Sequence, residues 1–198
     1  MAAIQLVAGL GNPGAKYEQT RHNAGFWFVD AVARDCGVQF RTDSKYRSEL
    51  ARCSIAGNDC RLQKPQDFMN RSGRPVAALA GFYQIPRSEI LVVHDDLDLP
   101  PGTIRLKRDG GHGGHNGLRD LIPALGGRDF LRLRIGIGHP GHRDDVVGYV
   151  LKAASREERA AIDAAIAAAV RVLPDIICGN LDAAMKELHT ASWGSSDQ

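Results

Sequence analysis

The sequence predicts an α/β fold: a single globular domain whose mixed, twisted β-sheet is flanked by helices on both faces. Three observations carry this. Short apolar runs of strand character alternate along the chain with segments of helical periodicity. The run Ile90-Leu91-Val92-Val93 is continuously apolar, as a strand covered on both faces must be. One glycine-centred hairpin interrupts the alternation, so parallel and antiparallel pairing must coexist.

The elements follow in order. Residues 4–8 form an apolar run closed by Gly9 and read as a buried first strand. Phe26, Val29, Val32 and Ala33 recur at helical spacing over residues 23–35, and Gly37 ends that helix. Residues 48–55 and 60–63 flank Gly57-Asn58-Asp59, a hairpin signal. Pro75 marks the start of a second helix, with Val76, Leu79, Ala80 and Tyr83 behind it. Residues 90–93 are the central strand.

Residues 103–107 and 131–137 are two more strands, with a short helix over 118–125 between them. Ser155 and Glu158 have the spacing of a capping box, and Ile162, Ile166, Ala169, Val170 and Leu173 continue an amphipathic helix. Pro174 is expected to break or kink it. Asn180 is placed to cap a last helix through Met185 and Leu188. Domain organisation is therefore one unit over residues 1–190, with a polar tail at 191–198.

Composition limits the function classes. A chain of 198 residues suffices for one well-buried core, and its net charge of +2 announces no polyanion partner by itself. Cys36, Cys53, Cys60 and Cys178 form no C-x-x-C pair and are expected to be buried free thiols. Neither a signal peptide nor a run of ~20 apolar residues is present. Those readings predict a cytoplasmic protein with no membrane partner.

Function must lie in the loops. Residues 110–118 read Gly-Gly-His-Gly-Gly-His-Asn-Gly-Leu, and five glycines in nine residues maximise the entropy lost on folding while burying nothing. Thr20-Arg21-His22-Asn23-Ala24-Gly25 and His94-Asp95-Asp96-Leu97-Asp98 are similarly polar, and the three segments point to a shared pocket. Loops that follow the strands at 4–8 and 90–93 lie where open α/β sheets gather ligands.

Three chemistries fit less well. Gly9-Leu10-Gly11-Asn12-Pro13-Gly14 matches G-x-G-x-x-G, yet no helix begins until about residue 23, too late to present its N-terminus to a pyrophosphate. A metal-dependent hydrolase would use His112 with His115, His139 with His142, and Asp95, Asp96 and Asp98, but these pairs sit on glycine-rich loops rather than rigid elements. No G-x-S-x-G elbow supports a serine nucleophile. No metal and no cofactor are called for.

A histidine–carboxylate pair fits better. Asp95, at the end of the apolar strand, is placed to point into a pocket and orient His22, leaving the other imidazole nitrogen to deprotonate water. Asn12, Asn70 and Asn116 add three neutral amides that both donate and accept. Arg105 with Lys107, and Arg132 with Arg134, alternate with apolar residues and so share a strand face. That face reads either as phosphate-positioning or as ion-paired with nearby aspartates.

These segments together resemble bacterial-type peptidyl-tRNA hydrolases. The likeness runs over residues 4–150 through Gly9 to Tyr17, Thr20 to Gly25, Phe68-Met69-Asn70-Arg71-Ser72-Gly73, His94 to Gly102, Gly110 to Leu118 and Arg132 to Gly141. It implies a monomeric, metal-free α/β enzyme that cleaves the ester between a peptide and the terminal ribose of tRNA. It further implies that His22 is the general base and Asp95 its stabilising partner. Asn12 would distinguish blocked from free aminoacyl groups. Tyr17, Phe68, Met69, Asn70 and Asn116 would line the substrate site, and Lys107 and Arg134 would contact phosphates. His115 is a candidate for a supporting role only. A tRNA-binding module without catalysis is the alternative the sequence leaves open.

Overall fold

The computed structural model describes residues 2–190; the polar tail assigned to 191–198 lies outside the described residues. Seven strands form one mixed sheet: β1 (Leu6–Gly9), β2 (Arg41–Asp43), β3 (Ser48–Ile55), β4 (Asn58–Pro65), β5 (Ile90–Asp96), β6 (Ile104–Arg108) and β7 (Leu131–Gly136). Their order is β2-β3-β4-β1-β5-β7-β6. The four central strands are parallel, and antiparallel strands close both edges.

Among the described residues six α-helices accompany the sheet: α1 (Ala24–Asp35), α2 (Gly73–Phe82), α3 (Asn116–Ala124), α4 (Val146–Val150), α5 (Arg156–Cys178) and α6 (Leu181–Thr190). Strand periodicity decides which face each serves. Val7, Leu91, Val93, Leu131 and Leu133 pack with α1, α5 and α6. Leu6, Ala8, Ile90 and Val92 point the other way, onto α2 and α3. Phe28 and Leu6 are fully buried, and each such side chain contributes roughly 1.5–3 kcal/mol relative to an exposed one.

The glycines of the G-x-G motif serve packing. A Cβ on Gly9 would overlap the Gly25 carbonyl, and one on Gly25 would overlap the backbone of Leu10 and Val93. Paired glycines thus let α1 lie directly on β1, and no nucleotide is needed to explain them.

Several expectations are corrected. The hairpin turns at Ala56-Gly57, both with positive φ, and β4 already begins at Asn58. Tyr83, placed in the second helix by its spacing, lies just past α2 as its C-cap and is exposed. Pro174 does not end α5, which runs on to the left-handed Gly179; buried Leu173, Ile176 and Ile177 hold the turn that the missing N–H weakens. Asn180 starts α6 through its backbone carbonyl, while its side chain donates to Asp175. Cys53 and Cys60 are buried free thiols, but Cys36 is half-buried and Cys178 exposed. Helix α4 and the edge strand β2 had no counterpart in the sequence reading.

The chain leaves β1 to build β2, β3 and β4 on one side, then returns through α2 to place β5 on the other. β1 is therefore a topological switch point, and the carboxyl ends of β1, β4 and β5 open together.

Candidate active site

A cleft of about 720 Å³ occupies that opening. All ten predicted residues line it: Asn12 after β1, Tyr17 and His22 on the loop toward α1, Phe68, Met69 and Asn70 after β4, Asp95 on β5, Lys107 on β6, Asn116 on α3 and Arg134 on β7. The loops after β1 and β4 meet the end of β5 because parallel pairing aligns those ends, and antiparallel β6 leads its own loop back toward them.

His22 lies in a 3-10 turn, Arg21–Asn23, just before α1. Two contacts anchor the turn: Arg21 pairs with Glu158 at 2.9 Å and stacks 3.9 Å from the Tyr149 ring centroid. A backbone bridge from Thr20 to Ala153 closes the same seam. The imidazole is held from two sides.

Its Nδ1 lies 3.0 and 2.9 Å from the two oxygens of Asp95. A carboxylate accepts, so the proton is on Nδ1. The Nε2 atom has no partner among the described residues, and the ring lines the cleft. Burial lowers the affinity of His22 for a proton, but the charge and hydrogen bond of Asp95 outweigh it and raise the pKa above the ordinary 6.5. Asp95 is itself buried, which would raise its pKa, yet the two imidazoles hold it well below the usual carboxylate range.

The second imidazole is His115. Its Nδ1 accepts the Gly117 and Leu118 amides at 3.1 and 3.3 Å, capping α3. Its proton is therefore on Nε2, which donates to Asp95 at 2.8 Å. One helix cap thus fixes the tautomer that clamps the carboxylate. Sequence reasoning ranked His115 as a supporting candidate; what it could not supply was this partner.

His94 completes the cluster. Its Nδ1 donates to the Asp95 carbonyl at 2.8 Å, its ring meets that of His115 at 5.1 Å, and its buried Nε2 has no protein partner. Burial, then the proximity of His115, push its pKa down to about 4. It is neutral in the folded protein.

Asn12 is fixed on three sides. Its backbone exchanges hydrogen bonds with the Asn23 amide at 2.8 and 2.9 Å, and its Oδ1 accepts the Met69 N–H at 2.7 Å. Only Nδ2 is left to donate into the cleft. Asn116 is arranged similarly, with Oδ1 bound by Arg119. Asn70 is exposed at the cleft mouth. Phe68, 56% exposed, meets the Tyr17 ring edge-on at 6.1 Å, and Met69 is buried beneath them.

The basic strand face divides between its two readings. Register places Arg105 opposite Arg134 and Lys107 opposite Arg132, where α2 and α3 do not cover the sheet. Arg105 donates to the Leu188 carbonyl at 3.3 Å, and Arg132 holds the carbonyls of Gly110 and Gly111. Arg134 pairs with Asp96 at 2.7 Å. Among the described residues, Lys107 alone of the four carries no such tie. Arg119, Arg143 and the exposed Val147 of α4 also line the cleft, although no motif or periodicity in the sequence marks them as site residues.

Nδ1 of His22, Nε2 of His115 and a carboxylate oxygen of Asp95 lie within 4.8 Å of one another, a set able to hold a cation. Both nitrogens already direct protons at that carboxylate, so a metal would have to displace them. Of the residues weighed for a metal site in the sequence, only His115 and Asp95 join such a set among the described residues; His112 and His139 accept from the Gly114 and Gly141 amides in local turns.

Sheet order and a cleft at the switch point define a single-domain α/β enzyme. The chain belongs to the peptidyl-tRNA hydrolase family, whose model matches residues 6–196. It is 56% identical over 185 residues to a peptidyl-tRNA hydrolase of Acidithiobacillus ferrooxidans, covering 93% of this chain and 98% of that one. Identity to the Neisseria meningitidis serogroup A protein of the same name is 54% over 187 residues, or 94% and 97% of the two chains. A crystal structure of the Acinetobacter baumannii peptidyl-tRNA hydrolase shares the fold with a TM-score of 0.94 at 47% identity, covering 97% of each chain.

Proposed function

We propose that this enzyme hydrolyses the ester joining a peptide to the terminal ribose of tRNA, with His22 as general base. The pairing of His22 Nδ1 with Asp95, which leaves Nε2 open to the cleft, carries this reading. Nε2 takes a proton from water as the water oxygen attacks the ester carbonyl. Asn12 Nδ2, with the Asn70 and Asn116 amides, holds the acyl group and its developing oxyanion. On collapse the bond to the ribose oxygen breaks, and the imidazolium returns its proton to that oxygen. The products are a free peptide and a reusable tRNA. Asp95 stabilises the transient imidazolium, and His115 holds Asp95 in place.

Tyr17, Phe68 and Met69 shape the wall beside the acyl site. Lys107 supplies a phosphate contact; Arg134 adds to the positive field but shares its charge with Asp96. No helix among the described residues is long and apolar enough to cross a membrane. We place the enzyme in the cytoplasm as a monomer. Incubation with N-acetylated and free aminoacyl-tRNA after chelator treatment tests the proposal. Release from the acetylated form alone supports it; tRNA binding without ester cleavage would sink it.

A further inference from the structure

We propose that a second groove, on the far side of Asn12, receives the peptide chain of the substrate upstream of the esterified residue. This inference rests on the reading of the substrate given above. The groove has a volume of about 630 Å³, ample for a bound ligand, and Asn12 is the one residue it shares with the reaction cleft. The two cavities are neighbours across a single side chain.

Two loops form the divide, and each turns residues into both cavities. On the first, Tyr17 faces the cleft while Gly14 and Glu18 face the groove; on the second, Phe68 faces the cleft and Gln66 the groove. The Tyr17 and Phe68 rings meet edge-on at 6.1 Å and so join the two loops. An extended peptide advances about 3.3–3.6 Å per residue, so its second or third residue has already left the acyl site. A path over this divide leads directly into the groove.

The charges of the two cavities differ as the two halves of the substrate do. The cleft sets Lys107, Arg119, Arg132, Arg134 and Arg143 against Asp95, Asp96 and Asp98, a net positive field suited to phosphates. The groove has both signs, Arg34, Lys64 and Arg159 against Glu18, Asp30, Glu49 and Asp163, and two of its three cations are committed. Lys64 is shared by Asp30 and Glu49, each at 2.8 Å. Arg159 pairs with Asp163 at 2.9 Å and lies 3.6 Å over the Trp27 ring. Trp27 and Phe26 give the floor an apolar surface. A wall of near-balanced charge above an aromatic floor selects strongly for neither sign, which suits a chain of any sequence held by its backbone.

Ala167, exposed on α5, and Glu18, exposed on the opposite wall, both line the groove. Ala167→Trp and Glu18→Trp fill it without touching the cleft. Each variant is assayed on N-acetyl-aminoacyl-tRNA and on pentapeptidyl-tRNA. KM for the pentapeptidyl substrate should rise about tenfold, equivalent to ~1.4 kcal/mol, while both constants for the acetylated substrate stay unchanged. If neither variant changes the ratio of the two substrates, the groove does not hold the peptide. Failure of the unsubstituted enzyme on both substrates would instead refute the proposed function itself.

Discussion

His22 Nδ1 lies 2.9 Å from Asp95 Oδ2, although 73 positions separate the two residues. Parallel pairing of β1 with β5 creates this contact by bringing the loop after one strand beside the end of the other. Removing the base tests it most directly. His22→Ala should lower kcat by about 10²–10⁴-fold, the usual worth of a positioned general base, with tRNA affinity nearly unchanged. Turnover close to normal would exclude the imidazole from proton transfer.

Asp95→Asn probes the same pair through pH. Catalysis needs neutral His22, and its raised pKa puts the acid limb of kcat/KM above pH 6.5. With the anion gone, that limb should move to lower pH, and kcat should fall roughly 10²–10⁴-fold as the tautomer is lost. A pH–rate profile unchanged in position would separate the limb from this dyad.

His94 should shape acid stability. In the unfolded chain it titrates near 6.5, whereas in the fold it stays neutral down to about 4. Between those values the unfolded state binds the extra proton, so His94 costs stability progressively as pH falls through that window. Thermal melts of His94→Asn should show a shallower decline from pH 6.5 to 4 than the parent protein. Identical slopes would assign the decline to other groups.

Lys107→Ala should weaken tRNA binding and reduce the slope of log K against log salt by about 0.7–0.9, the loss of one phosphate contact. Arg134→Ala should have a smaller effect on that slope, because Asp96 already neutralises part of its charge. Equal effects from the two would count against this division of labour.

Gly25→Ala addresses the scaffold. The added Cβ meets backbone atoms of Leu10 and Val93, which cannot move aside as a flexible side chain would. Overpacking of this kind costs about 1–3 kcal/mol, visible as a lower denaturant midpoint. Because α1 follows the His22 turn, activity should fall with it.

Much of this molecule was readable before folding. Alternating strands and helices, the hairpin and the capping box of Ser155 with Glu158 are local signals, and the structure repeats them. Elements without such a signal escaped. β2 is three polar, largely exposed residues held in place by pairing with β3, and α4 is five residues long with Val147 turned to solvent. Pro174 obeys its local rule less than the buried residues around it.

Residue types and their loop positions named His22, Asp95 and the three amides, because catalytic chemistry uses few side chains and glycine-rich polar loops have little else to do. Which nitrogen of each imidazole carries a proton followed only from tertiary contacts: the α3 cap on His115 and the shared carboxylate of Asp95. The fate of the basic face was likewise decided by register, which set Arg134 opposite His94, within diagonal reach of Asp96, and left Lys107 uncommitted. Patterning along a chain encodes which side chains are available. Partners distant in sequence exist only once the sheet order has brought strand ends together.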